Sequence, residues 1–307
     1  MEEEFDSTVG LIYGIDMTRR HKSDRKKRKN RNNTKRLVGI VAACVIVVAV
    51  VLVVLLSGRG PAADPVVTFP DHNLETAIRE ALNKPSGPIH ASELAGVANL
   101  TASDGGIQDL RGLQYCTNLT DLDLWHNQIS DISPLGNLTS LTRLELGDNG
   151  ISDISPLGNL TNLKYLFLYS NQIGDISPLA DLTSLSSLSL QYNQVSDISP
   201  LANLTGLTEL DLWNNQISDI SALGNLTGLT YLYLPLNQVG DISVLANLTN
   251  LTEVLLYSNQ IVDISPLVDN PGLGNGDVVS LGNNPLSLDS IDTYIDELRA
   301  RGVTVNY

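Results

Sequence analysis

Residues 119–140 read LTDLDLWHNQISDISPLGNLTS, and the chain restates them with substitutions at an unbroken spacing of 22 residues. First-position residues fall at Leu119, Leu141, Leu163, Leu185, Leu207, Leu229 and Leu251, with a degenerate copy from Val97. A period of this length marks a solenoid, because one such unit cannot bury its own apolar face and stacking closes the core.

Each unit follows the frame L-x-x-L-x-L-x-x-N-x-[IV]-x-D-I-S-x-L. Positions one, four and six alternate with polar residues, as in a short strand whose leucines face one side. Units stacked about 4.8 Å apart then give a parallel sheet along one face. Position nine is asparagine in every full unit from Asn127 to Asn259. An amide there both donates and accepts at the turn, pairing backbone groups that would otherwise be buried unsatisfied. Position thirteen is aspartate throughout: Asp109, Asp131, Asp153, Asp175, Asp197, Asp219, Asp241 and Asp263. Like charges so stacked repel unless each accepts local backbone hydrogen bonds, so the expected role is a turn residue before I-S-P-L. A row of calcium sites is the alternative, but one carboxylate per unit falls short of the six or more oxygens that calcium takes.

The frame resembles the leucine-rich repeat in its 22-residue bacterial form, as in the internalins, over residues 97 to about 286. That resemblance implies an α/β repeat solenoid: a leucine-rich repeat horseshoe with a parallel sheet on its concave face and helical caps at both ends. It also implies recognition of a macromolecule by that face. Cys44 and Cys116 are the only cysteines, so no disulfide framework closes the ends, which by family analogy points to a bacterial source.

The formal charge of −15 is unevenly spread. Eleven of the nineteen Lys and Arg lie between Arg19 and Arg36, and from Ser57 onward eight basic residues face twenty-eight acidic ones. Phosphate-backbone binding needs clustered cations, so nucleic acid is not an expected partner. Residues 1–36 cannot bury a core and read as a basic, disordered tail. Residues 37–56, LVGIVAACVIVVAVVLVVLL, carry no charge and as a helix would span roughly 30 Å, the thickness of a bilayer's hydrocarbon. The cations before this segment place the amino terminus in the cytoplasm and the repeats outside, in a single-pass membrane protein. A cleaved signal peptide is the rival reading, against which the long leading region and extended apolar run count.

Residues 57–65 read as a linker and 66–96 as an amino-terminal cap. A helix is expected over 71–84, where Leu74, Ala77, Ile78, Ala81 and Leu82 share a stripe, Asp71 or Asn73 can cap, and Pro85 stops it. After Gly272 the spacing breaks, and Val279, Leu281 and Asn284 restart the frame three residues late. Residues 287–307 read as the carboxy-terminal cap, with a helix over 287–301 that Gly302 ends and a strand-like 303–305 after it.

The variable positions are where function can be written. Nine aromatic residues occur from Leu119 to Gly272: Trp125, Tyr165, Phe167, Tyr169, Tyr192, Trp213, Tyr231, Tyr233 and Tyr257. All occupy positions three, five, seven or eight, although positions two, twelve, sixteen, eighteen and twenty-two appear equally open to them. Asp121, Asp123, Glu145, Glu209, Asp211 and Glu253 share those columns with His126 and Arg143. Exposed tyrosine and tryptophan form binding hot spots, and an acidic surround favours a protein partner with a basic patch. Strand faces favour aromatics by propensity alone, which is the competing account. No H-E-x-x-H, C-x-x-C, G-x-S-x-G or phosphate-loop motif occurs, so neither an enzyme nor a metal or cofactor protein is expected.

Overall fold

The computed structural model describes residues 64–307, which form one compact unit, Asp64–Tyr307. The expected tail, the membrane helix at 37–56 and most of the linker lie outside the described residues. Among the described residues no helix is long and apolar enough to cross a membrane.

Ten three-residue strands make one parallel sheet in strict chain order: β3 (Asn99–Thr101), β4 (Asp121–Asp123), β5 (Arg143–Glu145), β6 (Tyr165–Phe167), β7 (Ser187–Ser189), β8 (Glu209–Asp211), β9 (Tyr231–Tyr233), β10 (Glu253–Leu255), β11 (Val278–Ser280) and β12 (Thr304–Asn306). The strands cover positions three to five, so position four points inward and positions three and five point out. Equivalent positions pair directly, as in Glu209↔Tyr231 and Glu253↔Tyr231. The sheet is thus a grid whose columns are repeat positions and whose rows are repeats.

Seven apolar side chains per unit point the other way. In the first full unit these are Leu119, Leu122, Leu124, Ile129, Ile132, Leu135 and Leu138, all at most 1% exposed, and the pattern recurs through Leu248 in one continuous core. Burial at this density leaves no water for the main chain inside the coil, and the asparagine column supplies what water cannot. In the middle of the ladder Asn193 Nδ2 donates to Leu190 O at 3.0 Å and to Leu168 O of the preceding unit at 2.9 Å, while its Oδ1 accepts from Ile173 N at 3.0 Å. The same bonds recur from Asn127 to Asn259. Each asparagine therefore closes its own turn and ties it to the unit before.

The aspartate column acts as a turn former. From Asp131 to Asp263, each Oδ1 accepts from the serine N two residues on, at 2.8 Å every time. These bonds hold Asp153, Asp197, Asp219 and Asp241 below the usual carboxylate range. The serine opens a short outer helix such as Ser155–Asn159, where proline at the next position has no N–H to strand. In Ser221–Asn225 and Ser243–Asn247 the proline is replaced by alanine or valine and the turn persists, so the aspartate suffices.

At the amino-terminal end β1 (Val66–Val67) pairs antiparallel with β2 (Ile89–His90), and α2 (Ala91–Leu94) follows. Helix α1 (His72–Ala81) buries Leu74 and Ile78 and packs against β3. Asp71 caps it, accepting from Asn73 N and Leu74 N, while its other oxygen accepts from Gln108 N at 2.7 Å and Asp109 N at 3.2 Å. Burial pushes this carboxyl up, but the four backbone donors outweigh it and hold the group low.

At the other end the three extra residues bulge between Leu273, which is still buried, and β11. Asn270 is fully buried and donates to Leu245 O and Leu248 O, and Gly272 lies where any Cβ would come within 1.9 Å of Thr249 O. Arg301 reaches back to Val268 O at 2.7 Å and also bonds Asn270 O and Leu273 O. The expected helix over 287–301 is present over residues 288–300, with a π-turn at Ser290–Tyr294 before α3 (Ile295–Ala300). Buried Ser290 is the reason: its hydroxyl donates to Val262 O and accepts from Ile264 N of the last full unit.

Replacing Asn193 by alanine should lower unfolding free energy by about 2–4 kcal/mol, because several buried backbone groups lose their partner. Asn193→Asp should do no better, since a carboxylate has no N–H to donate to Leu168 O and Leu190 O. Urea titration of the three proteins followed by circular dichroism checks both.

Candidate binding face

The seventeen candidate residues lie in the outward columns of the sheet or at its strand edge, Glu145 among them buried, and the structure divides their roles. Trp125, Tyr165, Tyr192 and Tyr231 are 42–45% exposed. Phe167, Tyr169, Trp213, Tyr233 and Tyr257 are half-buried among their neighbours.

The acids of position five are engaged by the backbone. Asp123, Glu145 and Asp211 each accept the N–H of the residue two further on: Trp125 at 3.0 Å, Gly147 at 2.9 Å and Trp213 at 3.0 Å. They close the strand end as the position-thirteen aspartates close the outer turn. Burial pushes the Glu145 carboxyl up, against the pull of the Gly147 N–H. Burial likewise raises Asp211 to about 6, against its bond to Trp213 N and helped by Glu209.

Position seven alternates large and small: Trp125, Gly147, Tyr169, Gln191, Trp213, Pro235, Tyr257, Gly282. Adjacent rows lie about 4.8 Å apart, too close for bulky side chains to lie flat side by side. Tyr169 instead lies over Gly147, so near that a Cβ there would meet its ring at 2.3–2.6 Å. Trp213 and Tyr257 meet edge to face at 6.0 Å between centroids, although the buried Pro235 row separates them, and Tyr192 stacks tilted on Trp213 at 5.5 Å. Packing leaves the Trp213 indole N–H buried without an acceptor.

Position eight is left-handed in every row, with φ from 51° at Ser170 to 59° at Ser258 and Asn283. Aspartate, asparagine and histidine tolerate this; Tyr192 (φ 58°) and Leu236 (φ 55°) carry a cost of about 1 kcal/mol or more each. Leu236 is 43% exposed beside the aromatic cluster and belongs to the face. Sequence reading passed over it because leucine is everywhere in this chain, yet its column, the same as Tyr192's, gave the signal. His126 stands in this column between Asp148, which bonds its Nδ1, and Asp104, 3.6 Å from its Nε2. The Asp148 bond first, then the charges of Asp148 and Asp104, raise its pKa.

The candidates therefore gather into two tyrosine–carboxylate centres. Around Tyr169 stand Glu145, Asp123 and Asp148, and burial first, then these charges, pushes its phenol up to about 12, with Arg143 opposing. Arg143 lies 5.1 Å over the Phe167 ring and 3.8 Å from Glu145. Around Tyr233 stand Glu253, Glu209 and Asp211, and burial with these charges pushes that phenol to about 12 as well. Tyr165, exposed on β6, pairs in register with Arg143, which pairs in turn with Asp121.

Part of this pattern has a structural account. At position two most units carry a hydroxyl, and several bond the preceding row, as Thr230 Oγ1 to Thr208 O at 2.8 Å, although exposed Lys164 shows that the column also takes a long side chain; at position twenty-two some units carry an amide that does the same, as Asn162 Nδ2 to Thr139 O at 2.8 Å. Position eighteen is held small by the next unit's outer turn, with Pro156 O 3.4 Å from a Cβ on Gly136 and Val244 3.2 Å from one on Gly224. The clustering of aromatics therefore owes more to the fold than the sequence suggests.

Fold and face together define a leucine-rich repeat solenoid with an aromatic and acidic sheet surface. The family described as Leucine Rich repeats (2 copies) matches residues 117–159, 139–181, 161–203, 183–225 and 205–247. An internalin (inlF) from Listeria monocytogenes superposes with a TM-score of 0.72 at 39% identity, covering 80% of this chain and 72% of that one. An internalin C2 (inlC2) from the same species gives 0.67 at 40% identity, covering 75% of this chain and all of that one. The chain belongs to the internalin family. Internalin C of Listeria monocytogenes is 40% identical over 60 residues, 19% of this chain and 20% of that protein, so this match spans a fifth of its length. Beyond the family, the plant peptide hormone receptor RGFR1 in complex with RGF2 matches with a TM-score of 0.50 at 29% identity, over 56% of this chain and 30% of that one.

Asp211→Asn should stabilise the protein at pH 7. A carboxyl raised by burial contributes most when protonated, below its ordinary value of 3.8, and that contribution is lost as pH rises through about 6. Asparagine stays neutral and keeps an oxygen for Trp213 N–H, so a gain of about 1–3 kcal/mol is expected at pH 7 and none below about pH 4. Denaturation midpoints of both proteins from pH 3.5 to 7.5 test this.

Proposed function

We propose that this internalin-family chain recognises a protein partner through the sheet face, without turnover, outside a membrane to which residues 37–56 attach it. The observation that carries the reading is that four of the nine aromatics remain 42–45% exposed in columns where the fold would accept smaller polar residues. Strained Tyr192 and Leu236 support it, because at a left-handed position asparagine serves folding better. The receptor complex named above supports a protein or peptide ligand for a repeat face of this kind. A stiff spacer of the cell envelope is the second reading, favoured by the continuous core and the asparagine ladder; it predicts that the outward columns can be shuffled without loss. Signalling through residues 1–36 is a third role, which deletion of 1–16 would reveal by ending the response and sparing the binding.

Tyr169 is a poor probe, since removing it uncovers Gly147 and Glu145. The combined variant Tyr165→Ala, Tyr192→Ala and Tyr231→Ala should keep its far-UV spectrum and lose at least about tenfold in affinity for the natural protein partner; unchanged affinity sinks the reading. Protease added to intact cells should digest the repeats and spare residues 1–36.

A further inference from the structure

The repeat provides its own internal comparison. The first tyrosine–carboxylate centre spans β4 to β6 and the second β8 to β10, with their tyrosines at positions seven and five, and the columns around Arg143 on β5 and β6 recur on β8 and β9. In the first, position three of β5 is Arg143, and its guanidinium lies over the position-five ring of the next row, Phe167, beside the position-five acid of its own row, Glu145. In the second, the corresponding ring is Tyr233 and the corresponding acid Asp211, but position three of β8 is Glu209. The groups that hold a guanidinium are repeated, and the guanidinium is replaced by a further carboxylate.

Nothing among the described residues compensates this charge. Among the described residues, no ion pair involves Glu209, Asp211 or Glu253. Ser187 Oγ donates to Glu209 at 3.0 Å and Trp213 N to Asp211, neither of which supplies positive charge. Glu209 and Glu253 flank exposed Tyr231 on either side in direct register. The edge-to-face pair of Trp213 and Tyr257, with Leu236, makes an apolar floor on the other flank.

We propose that the β8–β10 centre receives an arginine side chain from the protein partner, in the place that Arg143 fills at the β4–β6 centre, with an apolar residue of the same segment resting on Trp213 and Tyr257. The assignment rests on the reading of the sheet face as a binding face and says which group of the partner it takes. A guanidinium fits better than an ammonium because it stacks on a tyrosine ring and still offers in-plane N–H donors to two carboxylates. A second copy of this chain is disfavoured as occupant, since its own face is acidic.

The test uses the full-length chain and three synthetic peptides, acetyl-Ser-Leu-Ser-Arg-Ser-Leu-Ser-amide and its citrulline and lysine counterparts. Trp125 and Trp213 are the only tryptophans, so Trp125→Phe makes the fluorescence report Trp213. The arginine peptide should change that signal and bind at least about tenfold more tightly than the citrulline peptide, with lysine between them. Glu209→Gln with Asp211→Asn should remove the preference, and the Asp211 change leaves the fold intact by the stability argument above. Arginine and citrulline peptides binding equally, or the preference surviving the double substitution, overturns the proposal. If the triple aromatic variant loses the natural partner while the double acid variant retains it fully, the binding face stands and the arginine assignment falls; if neither variant loses it, both fall.

Discussion

Everything on the outside of this solenoid depends on the hydrogen bonds of one buried amide per unit. Stacked coils of leucine and isoleucine exclude water from their own main chain, and the asparagine at position nine replaces it with two donations and one acceptance shared across two units. Because two of those three bonds reach back to the preceding unit, the ladder fixes the height of each turn against its neighbour as well as the turn itself. A slip of one residue between rows would break the ladder and the leucine stacking together. The columns of the sheet face are therefore held in register from inside the core.

Register turns a linear sequence into a lattice in which residues 22 and 44 apart are neighbours. The tyrosine–carboxylate centres, the His126 bridge and the aromatic cluster all arise this way. Position-five acids share one job, closing the strand end, while their charge is exported to the surface. One oxygen serves the fold and the remaining charge is available to a ligand. Half-buried Asp211 carries that double use at a cost, since burial pushes its carboxyl up to about 6.

How much was legible in the sequence follows from which residues act alone. The leucine frame, the asparagine ladder and the turn aspartates repeat identically, so seven copies reveal their roles and the structure agrees. So does the helix after Asp71, whose stripe and cap are local. What was hidden depends on neighbours one row away: the hydroxyl bonds at position two, the burial of Tyr169 over a glycine 22 residues earlier, and the left-handed backbone of position eight. Asp, Asn, Ser, His, Tyr and Leu all occur in that last column, so composition disguises a constraint that every row obeys. The π-turn at Ser290 was illegible for a similar reason, being set by a bond to Val262 in the last full repeat.

The alternation of position seven has a consequence for how such a chain can change length. Tryptophan or tyrosine follows glycine, glutamine or proline row by row, so the true period of the surface is forty-four residues, although the period of the core is twenty-two. Excising the unit that carries Gln191 would leave the interior indifferent and yet set Trp213 directly against Tyr169, with no smaller side chain between the two rings. Gain or loss of repeats in pairs preserves both rhythms. In this molecule the outer decoration, and not the hydrophobic stack, decides what counts as an interchangeable part.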